Sequence, residues 1–365
     1  MKKTLFAALA LVSMASCSNE EVLEVAQKEA IAFDNAFVDN ATRSANDPSI
    51  TNATIADFDV YGFVDKTGKI FEGTNVTGSG VTGTPTDDSK ASWSYLGTPQ
   101  YWVAGAIYNF CAVAPADAVT ANSTVSNETA DANNTNNFIT TTFNYTNVDT
   151  NQKDLLYSEA TCVAGQATGN DKVRFTFRHL LSKVKFSFEN AYNGTNATIK
   201  VTDIKITDAY QSASVSLTSS ATTWSAQTGD NLVLNFGGAT DKESTADTHE
   251  NTVSAYAYNE TLESLNEKLL IPSSQKDYTV EFVVTLYVGD TQIAVYNHTK
   301  ANNAAAKVTF TPEAGKCYDI KATINAENIN PTAAQEQILF TVTTVNDWEN
   351  GAADDVVIKE PAANN

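Results

Sequence analysis

Short runs of alternating apolar and polar residues recur along most of the chain. Val173, Phe175 and Phe177 share one face of Val173–Phe177, and Val184, Phe186 and Phe188 share one face of Lys183–Phe188. A period of two is the period of side chains across a pleated strand, so each run reads as a strand that buries one face. Tyr278–Val288 and Thr291–Tyr296 flank Gly289-Asp290, which suits a tight two-residue turn, and together they predict a hairpin. Lys316–Ile324 and Ile338–Val345 add two further strands. Thr, Val, Tyr and Phe dominate these segments, as expected of residues that pack well on a half-buried pleated surface. No long segment with a period of 3.6 appears in the folded part. Short helical turns are expected only near Leu262–Leu265 and His179–Leu181. The pattern predicts an all-β architecture built as sandwiches rather than a closed barrel.

Polar stretches punctuate the strands: Glu72–Ala91, Ala116–Asn137 and Gly238–Asn251, which read as surface loops. The chain has 365 residues, room for two domains. The break at His179-Leu180-Leu181-Ser182 between two strands places their boundary, giving domains at 44–182 and 183–337.

The start of the chain reads as an address. Lys2 and Lys3 precede the apolar run Thr4–Val12, too short to span a bilayer and suited to the core of a secretory signal over residues 1–16. Met14-Ala15-Ser16-Cys17 resembles a bacterial lipobox, in which Cys17 becomes the acylated N-terminus; Met14 stands where Leu is usual. Ordinary signal cleavage beside an incidental Cys is the other reading. Ser18-Asn19-Glu20-Glu21 resembles the surface-export signal of lipoproteins in anaerobic Gram-negative gut and oral bacteria, which implies a lipid-held position on the outer membrane.

Charge and rare residues narrow the chemistry. Lys+Arg 23 against Asp+Glu 43 gives a net charge of −20. A field of that sign repels phosphate backbones and opposes docking on anionic lipid, so no nucleic-acid partner is expected. Three His and four Cys leave little material for a zinc cluster or a His-based active site, and neither metal nor cofactor is expected. Beyond Cys17, the cysteines Cys111, Cys162 and Cys317 are odd in number and read as buried thiols, with one pairing left open. His179, His249 and His298 are scattered, no nucleophile or phosphate-loop motif is present, and Asp87-Asp88 and Asp354-Asp355 lie in polar stretches. The chain does not read as an enzyme.

Two end segments carry the remaining signal. In residues 17–43, Ile31, Phe33 and Phe37 share one parity, so this segment can form a strand, although Asn35 interrupts the stripe. Arg43-Ser44 follows in a Ser/Asn/Asp-rich stretch, and reads either as an ordinary solvated Arg or as a trypsin-like cleavage site. In residues 338–365, Ile338, Phe340, Val342, Thr344 and Trp348 share one parity, interrupted at Asn346. This segment reads either as the last strand of the second sandwich or as a strand offered to a neighbouring molecule. A sandwich lacking one strand leaves an unpaired edge and an apolar groove. An incoming strand supplies main-chain hydrogen bonds while its alternate side chains fill the groove. Residues 17–43 would then be a propeptide with a temporary strand.

Several strings, taken in order, resemble the fimbrillin family (type V pilins). Phe177-Arg178-His179-Leu180-Leu181-Ser182-Lys183-Val184 is similar to its central F-x-H-L-x-S-K-V signature. Tyr101-Trp102 and Tyr108–Pro115 are similar to its YWP…FxAYxP region, with Val103 in place of the usual Pro. Asp154-Leu155-Leu156-Tyr157, Leu269–Pro272, Ala314–Tyr318 and Phe340–Trp348 also fit, and Ala41-Thr42-Arg43-Ser44 sits where the family is processed. The resemblance implies two tandem transthyretin-like, Greek-key β-sandwich domains with an N-terminal leader strand and a C-terminal extension. It also implies lipoprotein export, cleavage after Arg43 by a trypsin-like protease, and head-to-tail polymerisation with other pilin subunits by strand exchange, supporting adhesion. It names no host or bacterial receptor. The rival reading is a surface lipoprotein that binds glycans, with Trp93, Tyr95, Tyr101 and Trp102 as an aromatic platform, or Trp224 as an exposed contact.

Overall fold

A computed structural model describes residues 30–38, 55–64, 68–79, 92–103, 106–119, 124–129, 137–163, 172–217, 222–240, 253–302, 304–329 and 338–345. Of these, 34–38, 124–129, 137–141, 161–163 and 345 are described by backbone alone. Cys17, Arg43, Ser44 and Trp348 lie outside the described residues, as do Asp87, Asp88, His249, Asp354 and Asp355.

The fold is all-β. Among the described residues, the one helical element is a 3-10 turn at Lys300–Asn302. The first half supplies β1 (Phe33–Val38), β2 (Asp57–Val64), β3 (Gly68–Ser79), β4 (Ser92–Tyr95), β5 (Ile107–Ala114), β6 (Thr124–Thr129), β7 (Asn137–Thr146), β8 (Leu156–Val163) and β9 (Val173–His179). Seven of these form one sheet in the order β1-β9-β8-β5-β2-β3-β4. The sheet curls until its two ends meet. An antiparallel bridge joins Ala30 to Tyr101, and the Ile31 N–H donates to the Gln100 carbonyl at 2.7 Å.

The second half supplies β10 (Ser182–Asn190), β11 (Ala197–Ala209), β12 (Ser212–Leu217), β13 (Thr222–Thr228), β14 (Leu232–Gly237) and β15 (Ala239–Thr240). It continues with β16 (Thr261–Ser264), β17 (Lys268–Leu270), β18 (Lys276–Val288), β19 (Thr291–His298), β20 (Ala306–Phe310), β21 (Cys317–Ile324) and β22 (Phe340–Val345). One sheet runs β15-β16-β10-β21-β22 with β17 also on β10; another runs β14-β11-β18-β19 with β20 also on β18. Val184, Phe186 and Phe188 from the first sheet and Val280, Phe282 and Val284 from the second meet in one core. The expected β18–β19 hairpin is present, and Gly289 takes the left-handed φ of 56° that its tight turn requires.

One hairpin crosses the division expected at Ser182. β12 pairs with β7 of the first half and carries β13 on its other edge, in a sheet ordered β13-β12-β7-β6. The buried face of β12, Ala213, Val215 and Leu217, closes a core with Phe143, Tyr145, Cys111 and Tyr157. Leu180, Leu181, Leu269, Ile271 and Cys317 join the same core, so the two halves are welded by apolar contact rather than tethered by a linker. A backbone bond adds to the seam: the Gly315 N–H donates to the Leu181 carbonyl at 2.9 Å.

Local expectations need correction in five places, one of them Gly238–Asn251, which opens with β15 paired to β16 and buries Ala239 rather than starting as surface loop. Leu262–Leu265 is not a helical turn: Thr261–Ser264 is β16, and Leu262 stands opposite Phe188 with its side chain in the core. His179–Leu181 is the end of β9 followed by a bend at Leu181, with no helical turn. Glu72–Ala91 is not all loop, because Glu72–Ser79 continues β3 and buries Val76. Ala116–Asn137 contains β6. In these stretches Thr and an occasional apolar residue meet a neighbouring strand, and tertiary pairing overrides polar composition. Cys111 and Cys317 are buried, as expected, and burial drives the Cys111 thiol well above its ordinary pKa.

Candidate functional site

The site is the seat of β1. This strand lies at the end of the seven-stranded sheet and runs parallel to β9, with Phe33 opposite Val173. The Val173 N–H donates to the Ala32 carbonyl at 2.8 Å, and the Tyr95 hydroxyl donates to the Ile31 carbonyl at 3.1 Å. Ile31 and Phe33 are each 1% exposed.

Phe33 is enclosed by aromatic rings. Its centroid lies 6.2 Å from Phe58, 5.5 Å from Phe71, 5.8 Å from Tyr95, 6.3 Å from Phe110 and 6.0 Å from Phe175. Four of these contacts are edge-on, the arrangement that brings a ring's positive rim to its neighbour's negative face. These neighbours come from β2, β3, β4, β5 and β9, so one side chain of β1 plugs a cage built by the whole curled sheet. The strand departs from the simple alternation of Ile31, Phe33 and Phe37. An extra residue between Phe33 and Ala36 shifts the register, so Ala36 and Val38 stand opposite the buried Phe175 and Phe177, and Phe37 stands opposite Thr176. The shift falls at Asp34-Asn35, where the polar interruption lies.

The C-terminal segment occupies its own sandwich. β22 closes one end of its sheet, antiparallel to β21, with Phe340 opposite Ala322. Ile338 and Val342 are each 1% exposed. Phe340 is half-buried against Phe186 at 5.8 Å, Phe188 at 6.0 Å and Phe282 at 5.7 Å.

The glycan platform does not assemble. Trp93 is buried beside Phe58 at 5.0 Å. Trp102 packs against Tyr108 at 4.7 Å, Tyr95 lines the Phe33 cage, and Trp224 packs on the central core while its indole N–H donates to the Leu180 carbonyl at 3.1 Å. Tyr101 alone of the set is exposed. In β13 the isolated Trp falls on the face turned to the core, a choice that local polarity could not reveal.

Sequence reasoning missed a buried, hydrogen-bonded His–Asp pair. His179 Nδ1 and Asp154 Oδ2 lie 2.7 Å apart, with side chains 1% and 0% exposed. Both residues sit inside strings that carried the family resemblance; the available signal was a His and an Asp embedded in apolar sequence. Lys183 and Glu267 form a second buried pair at 3.4 Å, within the second half. Among the described residues, no group of His, Cys, Asp and Glu is arranged to hold a metal ion. His298 is buried and stacked on Phe282 at 4.7 Å, and its burial holds the imidazole pKa down at about 4.

A sequence model of the fimbrillin-like family matches residues 42–348. Among solved structures, a fimbrial protein from Bacteroides vulgatus ATCC 8482 is similar at 15% identity, over 86% of this chain and 98% of that one, with a TM-score of 0.51. A fimbrial assembly protein from Parabacteroides distasonis ATCC 8503 is 14% identical over 89% of this chain and 100% of that one, with a TM-score of 0.43. The first of these likenesses supports the fold. No curated protein matches the chain.

Proposed function

The chain belongs to the fimbrillin-like family, and from that premise we propose that it is a structural subunit of cell-surface fimbriae. In this reading it is exported as a lipoprotein on Cys17, cut after Arg43 by a trypsin-like protease, and polymerised by strand exchange. The observation that carries the reading is the seat of Phe33: an edge strand upstream of Arg43 supplies the side chain that fills an otherwise complete aromatic cage.

Cutting after Arg43 releases everything before Ser44, β1 included, and separates the molecule from the lipid on Cys17. The cage then presents Phe58, Phe71, Phe110 and Phe175 beside β9, whose outer edge is left unpaired while β8 stays on its other side. Exposed apolar surface beside free backbone groups is a template for another strand. A neighbouring subunit can supply it from residues 338–348, where Ile338, Phe340, Val342 and Trp348 alternate with polar or outward-facing residues. The contact is head-to-tail, so it does not close on itself and grows a filament. Before the cut, β1 blocks the groove, and one peptide bond controls both anchoring and assembly.

The partners are therefore other pilin subunits, the processing protease and, before the cut, the outer membrane; afterwards the molecule is part of an extracellular fimbrium that supports adhesion. The reading assigns no catalysis. Arg43→Ala tests it. The variant is expected to keep acylated Cys17 as its N-terminus and to remain monomeric, whereas the wild-type surface protein begins at Ser44 and gives an SDS-resistant ladder on unboiled gels. Normal filaments from the Arg43→Ala variant would refute the proposal.

A further inference from the structure

The two segments that exchange carry the same apolar pair in the same relation to their strands. Ile31-Ala32-Phe33 leads into β1, and Ile338-Leu339-Phe340 leads into β22. Each strand begins at its Phe, and in each case the Ile two residues earlier is 1% exposed. Each strand lies at the end of its sheet. In each seat the Phe meets a cluster of rings: Phe58, Phe71, Tyr95, Phe110 and Phe175 around Phe33, and Phe186, Phe188 and Phe282 around Phe340.

The seats are not equivalent. Phe33 is 1% exposed, whereas Phe340 is half-buried. Moving a phenyl group from the second kind of seat to the first removes that remaining apolar surface from water and adds ring neighbours. For this one side chain the vacated cage is the more enclosing seat.

Resting on the strand-exchange reading, we infer that the donor segment of a second copy enters in the register that puts Ile338 in the place of Ile31 and Phe340 in the cage of Phe33. The donor runs parallel to β9. Phe340 stands opposite Val173, Thr341 opposite Arg174 and Val342 opposite Phe175, and the Val173 N–H donates to the Leu339 carbonyl as it now does to that of Ala32. The leader needs an extra residue after Phe33, at its Asp34-Asn35 interruption. The donor's alternation of Ile338, Phe340 and Val342 is unbroken there, so Val342 follows Phe340 onto the apolar face without a bulge.

The register is tested with cysteines on the outward positions. Thr341 and Arg174 are both exposed, and they lie in different sheets of one chain, so a bond between them reports a neighbour. The full chain carrying Thr341→Cys and Arg174→Cys, in a Cys162→Ser background, is cut after Arg43 with limiting trypsin, polymerised, oxidised and boiled without reductant. A covalent ladder is expected, at least tenfold stronger than from Thr343→Cys with Arg174→Cys, the two-residue slip. A stronger ladder from the slipped pair, or polymers that crosslink in neither, overturns the register while leaving strand exchange intact. Absence of polymers from the cut, folded wild-type chain overturns strand exchange itself.

Discussion

Replacing Phe33 with Ala in the uncut chain would separate the hold on the leader strand from the stability of the rest. The substitution deletes a phenyl group that is 1% exposed and lies within 6.3 Å, centroid to centroid, of five rings. Truncations of this kind in packed cores cost about 3–5 kcal/mol. The lower end applies here, because a cage at the end of a sheet can partly collapse when β1 shifts. A loss of about 3 kcal/mol corresponds to an increase of roughly a hundredfold in the population with β1 detached.

Amide hydrogen exchange reads that population. The Val173 N–H is bonded to the Ala32 carbonyl, so its exchange reports release of the segment, whereas β18 in the far sandwich serves as an internal reference. The variant is expected to exchange at Val173 roughly a hundredfold faster, with β18 unchanged. Phe33→Leu, which refills most of the volume, should recover much of the protection. Protection at Val173 within about threefold of wild type would refute the idea that the cage holds the strand. Equal acceleration in β18 would show that β1 cannot be released without unfolding the whole molecule.

Other consequences follow from single contacts. Asp154→Ala removes the carboxylate from the buried His179 and should lower stability by about 3 kcal/mol in urea unfolding, more than a surface carboxylate deletion would. His298 resists protonation down to about pH 4 in the fold, whereas an unfolded imidazole takes a proton near 6.5. Between those values only the unfolded chain gains the proton, so stability should fall by up to about 3 kcal/mol as pH drops through that window, with no contribution from this group above it. His298→Phe should flatten that part of the stability–pH curve. Ala226 holds a left-handed φ of 52° at the irregularity of β13, so Ala226→Gly should stabilise by about 0.5 kcal/mol in the same assay, against the usual sign for Gly in a strand.

Much of the strand content was legible because alternation is a local property. Val173–Phe177, Lys183–Phe188 and the hairpin around Gly289 need only their own residues to declare one buried face, and the structure places all three as strands. β3 and β6 were hidden for the same reason: their Gly-, Thr- and Asn-rich stretches show no apolar stripe, and they become strands by pairing with β2 and β7. Trp224 was misjudged because its neighbours in sequence are polar while its neighbours in space are Tyr145 and the Leu180 carbonyl.

From its residues alone, the chain determined an all-β fold, a strand-forming stretch ahead of Arg43 with Ile31 and Phe33 on one side, and a closing strand with Ile338, Phe340 and Val342 on one side. These depend on side-chain period and on covalent order, both of which a linear text contains. Which strands share a sheet was decided only in three dimensions: β12 and β13 cross to the first half, the sheet curls until Ala30 meets Tyr101, and five rings from five strands converge on Phe33. Convergence of this kind sums contacts between residues far apart in the chain, each too weak to leave a local mark, and cooperative packing fixes them together.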